Sequence, residues 1–201
     1  MVPSKEGKVT VKVTDEELIF RFQEGDVGAY NEIVARYKDR LTNYIYRYVG
    51  NFDECDDIVQ DTFVKVYVSK HLYKEIAKFS TWIYTIAINL AKTKIVKAAK
   101  YKTFSISDVY DDESKDFDIR DESYGGPEVD ANSKFLSAHI QKALNQINEN
   151  YRELVVLRDI EDFSYEEIVD MTGLPMGTVK SRINRGREKL QELLKDIYKE
   201  E

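Results

Sequence analysis

The sequence predicts an all-α protein of two helical domains joined by an acidic flexible linker, and three observations predict it. Apolar residues recur at spacings of three and four in window after window, the period of a helix that buries one face. Only three prolines and nine glycines interrupt the 201 residues. Residues 105–132, SISDVYDDESKDFDIRDESYGGPEVDAN, hold ten acids and no apolar period, a composition that cannot bury a core and predicts a linker largely disordered in isolation. The expected division is a tail over 1–13, an N-terminal helical bundle over 14–104, the linker over 105–132 and a four-helix C-terminal domain over 133–201.

The elements follow in order. After a loose tail with an extended patch at Val9 to Val13, Thr14 and Glu17 supply the two halves of a capping box. Leu18, Ile19 and Phe22 follow on a short helix that the stretch from Gly25 to Gly28 ends. From Ala29 on, Ile33, Val34, Tyr37, Leu41, Tyr44, Ile45 and Tyr48 trace an amphipathic helix of about twenty residues, closed by Gly50, Asn51 and Phe52. A third helix, roughly Glu54 to Ser69, carries Ile58, Val59, Phe63, Val66 and Tyr67 on its core side. A loop from His71 to Phe79 leads into STWIYTIAINLAKTKIVKAAKYK, where Trp82, Ile83, Ile86, Leu90 and Ile95 can face a core. Beyond the linker, Phe135, Leu136, Ile140, Ala143, Leu144 and Ile147 make one helix. Tyr151, Leu154, Val155 and Arg158 make another, up to a break at Asp162 and Phe163.

The last two helices form a unit. Ser164 and Glu167 are a second capping box opening a helix that runs to about Met171, and Thr172, Gly173 and Leu174 break it. Pro175 suits a first helical position, and Val179, Ile183 and Leu190 then share one face, with Lys180, Arg182, Arg185 and Arg187 largely off it. Helix, short glycine turn and basic helix is the helix-turn-helix pattern, whose second helix enters the DNA major groove. A helical hairpin with a solvated basic face has the same pattern. A domain of about 69 residues is only marginally stable alone, which favours a partner.

Composition excludes several classes of function. A hydrophobic share of 42% and a charged share of 33% fit a soluble protein. No run approaches the about 18 apolar residues of a membrane span, and MVPSKEGKVTVKV lacks a signal-peptide core, so the protein is expected to stay in the cytoplasm. The single cysteine, Cys55, excludes an intrachain disulfide and a cysteine-cluster zinc site. A carboxylate metal site built on Glu-x-x-His also fails, because His71 and His139 follow Val68 and Leu136 at that spacing. With no nucleophile–base pair in context and no phosphate-cradling glycine loop, neither catalysis, a cofactor nor a small-molecule substrate is expected.

The net charge of −7 hides its distribution. Lys plus Arg against Asp plus Glu number 17 to 14 over residues 1–104, 2 to 10 over 105–132 and 11 to 13 over 133–201. The acidity sits in the linker, which leaves local basic stretches for a polyanion. Two polar stripes stand out. Asp57, Gln60, Asp61 and Lys65 line one side of the third helix, and Thr85, Asn89, Lys92, Val96 and Lys100 line the fourth. Residues 74–102 hold seven lysines and one acid, and aromatics interleaved with lysines suit single strands, where bases stack on rings while cations follow phosphates. Solvated helix faces over a core built on Phe79 and Trp82 account for the same residues.

The order of these parts resembles the extracytoplasmic-function sigma factors, the compact two-domain class of the sigma-70 family. DECDDIVQDTFVKVY at 53–67, FSTWIYTIAINLAK at 79–92, YRELVVLRDIEDFSYEEI at 151–168 and GTVKSRINRGREKL at 177–190 carry the resemblance, which covers roughly residues 15–104 and 133–195. It implies that Asp57, Gln60, Asp61 and Lys65 dock onto the clamp coiled coil of core RNA polymerase. It implies that the segment from Phe79 to Lys100, with Phe79, Trp82, Asn89, Lys92 and Lys100, recognises and opens the −10 promoter element and captures a flipped base. Lys180, Ser181, Asn184 and Arg185 would then contact bases or phosphates of the −35 element, with Arg182 and Arg187 on phosphates. The acidic linker resembles the segment that threads the polymerase's RNA path, and an anti-sigma factor is an expected partner, through which the protein can be held at the membrane.

Some positions depart from the family pattern. Thr85 stands where arginine is frequent, Thr93 where Asn or Asp is usual, and Asn148 and Glu149 replace a proline turn. Gly186 replaces a common alanine and is expected to weaken an exposed helix by about 1 kcal/mol. A free-standing helix-turn-helix regulator of transcription is the alternative reading.

Overall fold

The structure, a computed structural model, describes residues 13–104 and 127–195. The expected patch over residues 9–12 and the linker over 105–126 lie outside the described residues. Eight α-helices are described: α1 (Asp15–Gln23), α2 (Val27–Val49), α3 (Phe52–Ser69), α4 (Phe79–Phe104), α5 (Pro127–Gln146), α6 (Glu149–Val155), α7 (Tyr165–Thr172) and α8 (Met176–Leu194). A 3-10 turn at Lys70–Leu72 follows α3, and α6 runs on into a π turn at Val156–Ile160. Residues 127–132, expected in the linker, already belong to α5. Pro175 caps α8 from outside rather than opening it, a position equally suited to its fixed φ.

Both expected capping boxes form. The Thr14 hydroxyl accepts from the Glu17 amide at 3.1 Å while the Thr14 amide donates to Glu17 at 2.9 Å. Ser164 and Glu167 do the same at 3.1 and 2.8 Å, each pair satisfying two amides a bare helix start leaves open. The acids of α1 also fix its neighbours. Asp15 accepts from Arg36 at 2.8 Å and from the Tyr37 hydroxyl at 2.6 Å, tying α1 to α2. Glu16 accepts from the Phe79 amide at 2.9 Å, so α1 supplies a cap for α4. Asp26 caps α2 by accepting from Ala29, and the hydrogen bond from Arg21 holds its carboxyl below the usual range. At the far end of α2, Gly50 takes φ 79°, a left-handed C-cap that costs a side chain strain.

The N-terminal core is rich in tyrosine. Tyr37, Tyr44, Tyr48 and Tyr84 are among the largest fully buried side chains, and each hydroxyl taken from water needs a partner. Tyr37 finds Asp15, Tyr84 donates to Glu161 at 2.5 Å, and Tyr48 donates to Glu149. Two of these partners belong to the C-terminal domain, so the domains pack against each other through the rims of α2 and α4. The marginal C-terminal domain thus finds its partner within the chain. Tyr44 Oη is buried with no hydrogen-bond partner among the described residues. Leaving such a group unpaired costs about 1–3 kcal/mol, so Tyr44→Phe is expected to raise the midpoint of thermal unfolding. A lowered midpoint would mean that the hydroxyl is satisfied in solution.

Candidate nucleic-acid and protein interfaces

Three surfaces carry the residues singled out in the sequence. The first is the outer face of α3. Ile58, Val59, Thr62, Phe63 and Val66 are buried against the bundle, which turns Asp57, Gln60, Asp61 and Lys65 to solvent on the opposite side. All four expected docking residues therefore share one exposed face. Asp57 is tethered to Lys94 of α4 at 2.9 Å. The same face presents apolar groups that charge patterning passed over: Val64 is 60% exposed, Val68 75% and Leu72 74%. Spaced by four, they extend the polar stripe along α3 into the 3-10 turn.

The second surface lies around the start of α4. Phe79, expected among the DNA contacts, is 0% exposed. Its ring packs against Tyr37, Tyr73 and Trp82, with centroids 5.5, 5.6 and 5.9 Å away. That expectation is corrected: Phe79 is a core residue on which Trp82 rests. Trp82 is half-buried, its ring 5.5 Å from Tyr73. The preceding loop is pinned from α1, where Gln23 donates to the Lys70 carbonyl at 2.7 Å and Lys70 sits 4.2 Å over the Phe22 ring. Asn89 is exposed one turn before Lys92, and Lys92 reaches Glu153 of α6 at 2.9 Å. The Lys100 side chain lies outside the described residues. Thr85 and Thr93 turn their hydroxyls back onto the Thr81 and Asn89 carbonyls of their own helix, at 2.7 and 2.8 Å.

The third surface is α8. Val179, Ile183 and Gly186 are buried, and that face leaves Lys180, Ser181, Asn184 and Arg185 together on the exposed one, at i, i+1, i+4 and i+5. Lys180 lies 5.6 Å above the ring of Tyr165, and Ser181 donates to the Thr178 carbonyl at 3.1 Å. Gly173, in the left-handed region at φ 67°, makes the turn between α7 and α8. Arg182 is half-buried at the edge of the face. Arg187 has a partner within the chain. Its guanidinium is held by Asp159 of the π turn, with Nε donating at 2.9 Å, and this pairing raises its pKa further. Arg187 thus braces α8 against the preceding turn, with its side chain still 45% exposed.

A helix-turn-helix at one end of the chain and an α3–α4 pair at the other is a combination that known proteins share. The family model described as sigma-70 region 2 matches residues 33–101, and that described as sigma-70 region 4 matches residues 138–190. The ECF RNA polymerase sigma-E factor of Haemophilus influenzae is 31% identical over 92% of this chain and 98% of its own. The ECF RNA polymerase sigma factor SigW of Bacillus subtilis is 36% identical over 89% and 96%. The chain belongs to the ECF sigma factors of the sigma-70 family. Among solved structures, the sigma factor RpoE from Bartonella quintana, in complex with the anti-sigma factor NepR, matches with a TM-score of 0.67 at 24% identity. The match covers 83% of this chain and 96% of that one. CnrH in complex with the cytosolic domain of CnrY matches with a TM-score of 0.65 at 22% identity, over 90% and 97%. These two likenesses bear on the fold, that of a two-domain helical sigma factor.

The departures of this ECF sigma factor acquire local reasons. Asn148 replaces the proline turn by capping α6, its side chain accepting from the Asn150 amide at 3.0 Å, and Glu149 beside it receives the Tyr48 hydroxyl. Cys55 is buried, with its thiol pushed up to about 12 by that burial, so it serves as packing rather than as a reactive group. No group of three metal-ligating side chains comes together among the described residues, and no helix among them is long and apolar enough to cross a membrane.

Proposed function

We propose that this ECF sigma factor docks on core RNA polymerase through the outer face of α3 and directs initiation by reading two promoter elements. The α8 face of Lys180, Ser181, Asn184 and Arg185 reads the −35 element. The α4 surface of Trp82, Asn89 and Lys92 engages the single-stranded −10 element, together with Lys100 further along the sequence. It acts without catalysis of its own, in the cytoplasm or held at the membrane through an anti-sigma factor. The observation that carries this reading is the separation of three surfaces, an exposed carboxylate and aliphatic one, a half-buried aromatic and lysine one, and an exposed cationic and polar one, on a single chain. The domain limits of 14–104 and 127–195 are proposed from the described helices. That the sigma factor RpoE of Bartonella quintana, similar in fold, was solved with an anti-sigma factor supports such a partner here.

The test is transcription in vitro with purified core polymerase and genomic promoter fragments, where specific start sites are expected. Failure to start at any promoter would sink the reading. Binding of duplex DNA as tight without core as with it, in a gel shift, would favour the free-standing regulator. Within this scheme, Arg185→Ala is expected to reduce −35-dependent initiation about tenfold or more, since a bidentate arginine–guanine pair contributes about 1–3 kcal/mol. Core affinity should stay unchanged. Equal loss of both would assign Arg185 to folding.

A further inference from the structure

The π turn between α6 and α7 is held from several sides. Val156 and Leu157 are buried in the core. The Glu161 amide donates to the Val156 carbonyl, five residues back, at 3.0 Å, and the Phe163 amide donates to the Leu157 carbonyl at 3.0 Å. Arg158 donates to the Phe163 carbonyl at 3.0 Å and lies 5.2 Å over the Tyr165 ring. Asp162 takes the left-handed region at φ 60° and turns the chain toward α7. A π turn in a helix is rare and frequent at functional sites, where it re-aims a side chain. On this one the exposed carboxylate of Asp159 is carried by a backbone that is fixed on both sides.

Asp159 grips Arg187 as a fork. Nε donates to one carboxylate oxygen at 2.9 Å and Nη2 to the other at 2.5 Å, and two parallel bonds fix the plane of a guanidinium as one bond does not. The fork takes the Nε–Nη2 edge, so the Nη1 end is turned away from Asp159, and the Arg187 side chain keeps 45% of its surface exposed. Arg187 also shares a stripe with residues of the reading face: Lys180, Asn184 and Arg187 stand at i, i+4 and i+7 on α8, all exposed. Lys180, 5.6 Å over the Tyr165 ring, is about 10 Å away along the helix axis, a span within which one DNA strand carries several phosphates. We infer that Asp159 is a positioning residue for DNA binding, which holds the Arg187 guanidinium in the plane and place where a phosphate of the −35 duplex meets it. The inference rests on the reading of α8 as the −35 helix. It reverses the sign that charge alone gives to an acid beside a DNA surface. Carboxylate and phosphate repel each other across the guanidinium, through water and salt that weaken the effect. An arginine left to its rotamers must instead be ordered on binding, which costs about two- to tenfold in affinity. The ordering effect is the larger, so the acid strengthens binding.

The test titrates the full chain, at about 0.1 M salt, against a fluorescent mixed-sequence duplex of about thirty base pairs. Phosphate contacts carry no sequence information, and α8 is exposed in the free chain. Arg187→Ala is expected to weaken binding about fivefold and to lower the slope of log affinity against log salt by about one. Asp159→Ala, although it removes a negative charge, is expected to weaken binding about threefold. Asp159→Glu should stay within about twofold of the parent, and Asp159→Ala should cost nothing more when added to Arg187→Ala. Exchanging the two residues, Asp159→Arg with Arg187→Asp, separates aiming from bracing: the midpoint of thermal unfolding should recover while affinity stays low. Binding by Asp159→Ala as tight as the parent's or tighter overturns the inference, and so does an exchange that restores affinity together with stability. The reading beneath it has its own check. Arg185→Ala without effect on −35-dependent initiation removes α8 from the −35 element, whereas an impaired Arg185→Ala beside an unimpaired Asp159→Ala strikes out Asp159 alone.

Discussion

Gly186→Ala is expected to destabilise the C-terminal domain by about 1–2 kcal/mol, although alanine is the better helix former by about 1 kcal/mol. The sequence puts Gly186 in the middle of the recognition helix, where the propensity argument treats it as an exposed weak point. The structure corrects that expectation: Gly186 is buried where α8 crosses α6. A Cβ built there would lie 2.5 Å from Val155 Cγ2, 3.3 Å from Tyr151 Cβ and 3.5 Å from the Tyr151 carbonyl oxygen. Val155 is itself buried, and a β-branched side chain in a helix has one favoured rotamer, so it cannot swing aside cheaply. Forcing an extra methyl into such a contact costs typically about 1–3 kcal/mol and tends to push the backbones apart. Here the yielding backbone is α8, which carries Lys180, Ser181, Asn184 and Arg185. Chemical denaturation of the variant should show the loss, and −35-dependent initiation should fall with it. A variant as stable as its parent or more so would mean that the α6–α8 contact gives freely.

The elements that local chemistry determines were legible before any coordinates. Thr14 with Glu17 and Ser164 with Glu167 act over three residues, and both boxes form as expected. The α2 and α8 faces were legible because each helix is buried on one side alone. α4 was harder. It packs against α1, α2 and α3 and also against α7, so apolar residues surround much of it and the period that ranks core above surface is blurred. That is why Phe79 and Trp82, three residues apart, could not be separated into a buried ring and the half-exposed ring that rests on it.

The contacts between the two domains left no sequence signal. Those that Glu149, Glu153 and Glu161 make with the N-terminal domain span 101, 61 and 77 residues. No spacing rule reaches that far. The pairing of Arg187 with Asp159, on a π turn 28 residues earlier, was illegible for the same reason. A basic residue off the apolar face can meet a phosphate, a carboxylate of its own chain or both. Which of these it meets depends on tertiary packing.

The docking face shows the opposite bias, in which charges drew attention and aliphatics did not. Val64→Glu is expected to leave the fold intact and weaken binding to core polymerase about thirtyfold or more. Val64 is 60% exposed in the free chain, so the substitution removes little buried surface, and glutamate suits a helix interior better than valine. The midpoint of thermal unfolding should therefore hold or rise slightly. In the proposed complex the same position lies between Asp61 and Val68, one turn from each, where an apolar side chain is covered. A carboxylate there must shed water without a partner, a cost of about 2 kcal/mol or more, which is about thirtyfold in affinity. Competition with labelled parent chain for core polymerase measures it. Asp61→Ala, which removes a charge from the same face without adding one, should weaken binding by less, about tenfold or under. Unchanged competition by Val64→Glu would take the aliphatic row out of the interface and leave Asp57, Gln60, Asp61 and Lys65 to carry docking alone.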